Sequence, residues 1–155
     1  MEDFPCVRRA GRQDASRLAE ILIFTKRVHY RPIFQNDQVS FGEMQVLPLA
    51  QAYLSGEESL EHVWVYDDGL VKGMLHVQGG EVRELYVEPF FQHGGVGDAL
   101  LRFAVERQGA RRLWVLEKNR QAIGFYEAHG FALTGERIPE EGTPEFVVRM
   151  ERTGT

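Results

Sequence analysis

The sequence predicts a mixed α/β domain rather than a regular doubly wound one. Three observations predict it. Helical periodicity comes early in the chain. A run rich in β-branched and aromatic residues, broken by glycine turns, fills the middle. A strand, a glycine loop, a helix and another strand follow. The 155 residues suit one domain with one core, so residues 1–155 are taken as a single unit.

The elements follow in order. "CVRRAG" reads as a short first strand, and Asp14 or Ser16 can cap the helix after it. Leu18, Ile21, Leu22, Thr25, Val28 and His29 share one helical face, and Pro32 interrupts that helix. "QNDQVSFGEM" and "LPLAQAYLSG" read as short helical pieces. "HVWVYDDGLVKGMLHVQGGEVRELYV" predicts three strands joined by tight turns at "DDG" and "QGG". Beyond the glycine loop, Val96, Leu100, Phe103 and Ala104 form the apolar stripe of a helix. "RLWVL" is a further strand. "NRQAIGFYEAHG" is a short helix with Asn119 placed to cap it and Gly130 to end it. "FALTGERI" and "EFVVRME" close the chain as strands around "PEEGTP".

Bulk properties exclude several classes. The hydrophobic fraction of 43% is ordinary for a globular protein. A net charge of -5, with scattered Lys and Arg, gives no nucleic-acid footprint. The N-terminus lacks a signal peptide's apolar run, and no segment is long enough to span a bilayer. The expectation is a cytoplasmic, soluble protein without membrane or nucleic-acid partners. One cysteine, Cys6, excludes an internal disulfide, and the five histidines show no metal-ligand spacing, so no metal is expected.

The stretch "ELYVEPFFQHGGVGDALLRFAVERQG" raises the functional question. Glycines that open directly into a helix let an anion approach free backbone N–H groups at the positive end of the helix dipole. A triphosphate loop needs Lys and then Ser or Thr after the last glycine, but Asp98 and Ala99 follow Gly97. A dinucleotide fingerprint from Gly95 needs Gly or Ala where Leu100 stands. What remains is Gln92-His93-Gly94-Gly95-Val96-Gly97, which fits Q/R-x-x-G-x-G/A. With "NRQAIGFYEAHGF" downstream, which fits N-x-x-A-x-x-F-Y-x-x-x-G-F, the chain resembles the GNAT superfamily of acetyl-CoA-dependent N-acetyltransferases. Two linked signatures in the right order, after a meander, carry the resemblance.

That resemblance implies a fold and a site. The fold would be a central, mostly antiparallel twisted sheet with one splayed parallel strand pair, flanked by helices. The strands around Val82–Val87 and Leu113–Leu116 would diverge, and the pantetheine arm of acetyl-CoA would bond to exposed main chain at Leu85, Tyr86 and Val87 like an added strand. The N–H near Leu85 could also hold the acetyl oxygen as it becomes an oxyanion. The pyrophosphate would sit on the loop of Gln92, His93, Gly94, Gly95, Val96 and Gly97. The loop carries no Arg or Lys, so binding should rest on backbone N–H groups and depend only modestly on salt. Asp98 would repel phosphates if turned inward, and is expected to face solvent.

The resemblance also implies catalytic roles. Asn119 would contact the cofactor near the pantetheine as well as cap its helix. Tyr126 would protonate the departing CoA thiolate, although periodicity alone favours a core tyrosine. Glu84 is the candidate base for the acceptor amine, with Glu81 and His76 as alternatives; the two glutamates differ in parity, so a regular strand would turn them to opposite faces. Tyr30, Arg31 and Phe34, in "VHYRPIFQNDQ", are candidates to line the acceptor pocket. The expected reaction is acetyl transfer to a primary amine, of a small molecule or a peptide, by direct attack. The rivals are a non-catalytic acyl-CoA sensor of the same fold and transfer of a larger acyl group. A homodimer is compatible with this kind of protein.

Overall fold

The computed structural model describes residues 4–23, 60–92, 94–140 and 143–153. The later part of the first helix, the two short helical pieces and Thr25, Val28 and His29 lie outside the described residues.

Strand β1 (Val7–Arg9) leads through a 3-10 turn at Arg12–Asp14 into α1, helical over residues 15–23. The meander follows as β2 (Val63–Asp67), β3 (Val71–Gln78) and β4 (Glu81–Val87). Helix α2 (Val96–Gln108), β5 (Arg112–Leu116) and α3 (Arg120–Ala128) come next, and β6 (Phe131–Pro139) and β7 (Phe146–Arg152) complete the chain. The predicted caps of α3 are both present: Asn119 Oδ1 accepts the Ala122 N–H at 3.2 Å, and Gly130, at φ +92°, follows its last turn.

The strands form one seven-stranded sheet in the order β1-β2-β3-β4-β5-β7-β6. Neighbours are antiparallel except β4 and β5, which are parallel. The mixed α/β fold is therefore the one expected. One face buries Leu75, Val77, Val82, Leu113 and Met150 beneath Leu100, Leu101 and Phe103 of α2. The other buries Val63, Val65 and Met74 beneath Leu18, Ile21 and Leu22 of α1. Each such aliphatic side chain contributes about 1.5–3 kcal/mol on burial. Among the described residues, no helix is long and apolar enough to cross a membrane.

Asp14, one of the two candidate caps, ties the turn that enters α1 to the sheet. Its carboxylate takes both terminal nitrogens of Arg8 at 2.9 Å and the Gly11 N–H at 2.8 Å, and it is buried. Arg8 Nε reaches Asp67 on β2 at 3.1 Å. The Arg8 hydrogen bonds hold the Asp14 carboxyl below its ordinary value. A lowered folded pKa contributes stability above the unfolded value, and that stability is lost as pH falls through the folded one. Asp14→Asn should therefore cost about 2 kcal/mol at neutral pH, and less below about pH 4. Urea unfolding at the two pH values checks this, and an equal loss at both would contradict it.

Candidate active site

The sheet opens where β4 meets β5. Their parallel pairing consists of Glu81↔Arg112 and Val82↔Leu113, after which β4 continues to Val87 and β5 to Leu116 without pairing. On its other edge β4 stays joined to β3 throughout, with Leu75↔Leu85 and Gly73↔Val87 in register. Just past the strand, the Glu88 N–H donates to the Lys72 carbonyl at 2.9 Å. Backbone groups alternate between edges along an antiparallel strand. Tyr86 and Glu84 therefore bond toward β3, while Leu85 and Val87 turn their peptide groups toward the gap.

Side chains obey a different alternation. Leu85 and Val87 pack beneath α2, while Tyr86 packs on the α1 side. One residue thus supplies apolar packing with its side chain and main-chain polarity to the gap. Of the three β4 residues assigned to the cofactor, Tyr86 has its main chain directed to β3.

The gap ends at the glycine loop. A 3-10 turn at Pro89–Phe91 begins the loop, and the Gln92 amide folds back to donate to the Val87 carbonyl at 3.0 Å. Gly95, the N-cap of α2, has φ +88°, a conformation that side chains rarely adopt. It also offers no side chain to occupy the helix N–H groups. The first bond of the helix runs from the Ala99 N–H to the Gly95 carbonyl at 3.0 Å. The N–H groups of Val96, Gly97 and Asp98 thus belong to the first turn, which has no intrahelical acceptor. At Gly97 a Cβ would lie 3.4 Å from Phe125 Cζ and 3.5 Å from Val87 Cγ2. Gly97 is where α2, α3 and the end of β4 converge.

Among the described residues, Lys72 is a cation close to the loop. It lies 4.8 Å from the Phe91 ring centre, but is bonded to Asp68 at 2.8 Å. Asp98 is half exposed, as expected, yet it is held. Its Oδ1 meets His129 Nε2 at 2.8 Å, and its Oδ2 lies 3.7 Å from Arg102 Nη1. The other His129 nitrogen meets the Phe125 carbonyl at 2.9 Å. Sequence reasoning missed this link. The only hint was a histidine four residues after Phe125, and nothing local points to Asp98.

Helix α3 closes the far side. Tyr126 is buried, with ring contacts to Phe125 at 5.4 Å and Phe131 at 5.9 Å. Asn119 is engaged as the cap already described.

The candidate bases are rearranged by a bulge. His76 pairs with Glu84, and Val77 with Val82, so Arg83 is an extra residue on β4. Val82 lies in the α2 core, while Glu84 faces His76 on the side of Met74. The bulge therefore brings Glu81 and Glu84 to the same face, correcting the expectation from parity. The two are still distinct. Glu81 sits where β4 and β5 are paired, 3.8 Å from Arg112 Nε. Glu84 sits where the gap opens, 3.6 Å from His76 Nδ1. Tyr30, Arg31, Phe34 and His93 lie outside the described residues.

Comparison with known proteins decides the family. Residues 59–133, which contain both signatures, match the acetyltransferase (GNAT) domain. That stretch is a GNAT acetyltransferase domain. Over 88 residues it is 33% identical to the peptidyl-lysine N-acetyltransferase YiaC of Escherichia coli, covering 55% of this chain and 58% of that one. Over 83 residues it is 29% identical to the peptidyl-lysine N-acetyltransferase YjaB of the same organism, covering 53% and 56%. The chain spans about half the length of these curated relatives. The GNAT fold extends further than the sequence match. The solution structure of apo-form YjaB superposes with a TM-score of 0.73 at 23% identity, covering 96% of this chain and 97% of that one. The PaiA N-acetyltransferase of Thermoplasma acidophilum, solved with coenzyme A, gives 0.64 at 19% identity, covering 94% and 97%. Within this GNAT domain the splayed pair is β4 and β5, and the signature helices are α2 and α3.

Proposed function

We propose that the chain binds acetyl-CoA and transfers its acetyl group to a primary amine by direct attack, with peptidyl lysine as the first acceptor class to test. The observation that carries this reading is the gap beyond Val82 and Leu113, which runs into a glycine loop at a helix N-terminus. Its shape and polarity fit the group. An extended arm with two amides finds main chain at Leu85 and Val87 directed toward it. A diphosphate finds the first-turn N–H groups of Val96, Gly97 and Asp98. The names of YiaC and YjaB support the choice of acceptor.

Acetyl-CoA supplies an activated thioester; this chain supplies orientation and proton transfer. The Leu85 N–H, directed into the gap, holds the acetyl oxygen as charge develops on it. Glu84 takes the proton that a lysine-like amine must lose before it attacks, directly or through a water, and His76 flanks it. Tyr126 gives a proton to the departing sulfur, and Asn119 adds a contact beside the α3 cap. Gln92 acts by keeping the loop folded against Val87.

Incubation with acetyl-CoA and a panel of amines, including lysine peptides, with release of free thiol as the readout, tests the reading. CoA binding without turnover on any amine would favour the sensor. Glu84→Gln should lower turnover about 100-fold and flatten the rising limb of the pH-rate profile. An unaltered profile would move the base to His76 or Glu81.

A further inference from the structure

We propose that His129 is a positioning residue that masks the Asp98 charge and so lets the α2 N-terminus receive the cofactor diphosphate. The inference rests on the reading that the glycine loop holds that diphosphate. Asp98 is in the first turn of α2, immediately after Gly97. A carboxylate there stabilises the helix through its dipole, but it stands at the end where an anion must land. A like charge within about one helical turn of a phosphate weakens binding on the order of tenfold.

His129 resolves the conflict. Both of its ring nitrogens face oxygen acceptors: the Phe125 carbonyl at 2.9 Å and Asp98 Oδ1 at 2.8 Å. A carbonyl and a carboxylate only accept, so the arrangement is fully satisfied when each nitrogen carries a hydrogen. That form of the ring is a cation. It is positioned at the C-terminal end of α3, where the helix dipole favours positive charge. Its side chain is only 18% exposed, while Asp98 is half exposed, so the pair is open to water and salt from the Asp98 side. Arg102 approaches the other Asp98 oxygen at 3.7 Å. The scaffold holds the ring in place. The Phe125 ring packs at a tilt against it, centres 4.7 Å apart, and also lies beside Gly97, and Arg152 Nε donates to the His129 carbonyl at 3.2 Å. His129 thus joins α3 to the first turn of α2 and draws the carboxylate onto a cation.

A charge-masking role predicts a rescue that a purely structural role does not. CoA affinity, measured by calorimetry at low and high salt, is compared for the unaltered protein, His129→Ala and His129→Ala with Asp98→Asn. Thermal melting confirms folding, and His129→Gln replaces His129→Ala if the alanine variant does not fold. Loss of the histidine should weaken CoA binding about three- to tenfold at low salt, and salt should narrow the difference. Removing the Asp98 charge as well should restore affinity. A double variant as weak as the single one, or a loss indifferent to salt, overturns the proposal. So does His129→Ala that binds as well as the unaltered protein. If the unaltered protein does not bind CoA, or Gly97→Glu binds it normally, the loop reading itself fails and takes this inference with it.

Discussion

Gly97→Glu should weaken CoA binding at least about 100-fold in a protein that still folds. Gly97 is the second residue of α2, and a Cβ there meets Phe125 and Val87 at 3.4 and 3.5 Å. Those are ordinary contact distances, so a methyl group is tolerated. A longer side chain has Phe125 and Val87 beside it, where the first turn of α2 meets the end of β4. It brings a carboxylate to the surface on which the diphosphate would lie. Stability should not suffer. Glycine is the poorer residue within a helix by about 1 kcal/mol, and a carboxylate in the first turn suits the dipole. The variant therefore separates binding from folding. Gly97→Ala serves as the control: it should melt at least as high as the unaltered protein and retain most of its affinity. Calorimetry with CoA, alongside thermal melting, decides the matter. Undiminished affinity in a folded Gly97→Glu protein would refute the loop assignment.

Tyr126→Phe should lower kcat by about 100-fold or more while CoA affinity stays within about twofold. The ring is buried against Phe125 and Phe131, and phenylalanine keeps those contacts. Only the hydroxyl is removed. A proton donor acts on the leaving thiolate, so its loss is felt during turnover and not in binding. Steady-state kinetics with calorimetry would separate the two, and an unchanged kcat would leave Tyr126 as a core ring without an acid role.

The order and kind of most elements were legible because short-range physics sets them. Two residues of "QGG" form the turn between β3 and β4, and Asn119 and Gly130 bracket α3 as their side chains and backbone preferences dictate. The stripe of Val96, Leu100, Phe103 and Ala104 is buried as its period requires. The glycine loop was legible for the same reason, since its backbone needs residues without side chains. The packing of the Leu85 and Val87 side chains under α2 was also expected, and it leaves their peptide groups to run in the plane of the sheet.

Other features could not be read from neighbours in the chain. The bulge at Arg83 depends on how β4 registers on β3, and a single extra residue turns Glu81 to the face of Glu84. The link from His129 to Asp98 joins residues 31 apart, and Gln92 folds onto Val87 only once the loop has closed. By itself the sequence determined the described helices, their turns and the glycine bend, since caps, periodicity and backbone freedom act within a few residues. The tertiary structure decided where β4 and β5 part, which glutamate lies beside the opening, and which side chain holds Asp98. Those depend on register and on charges meeting across the fold, and both are set only when the whole sheet and its helices pack together.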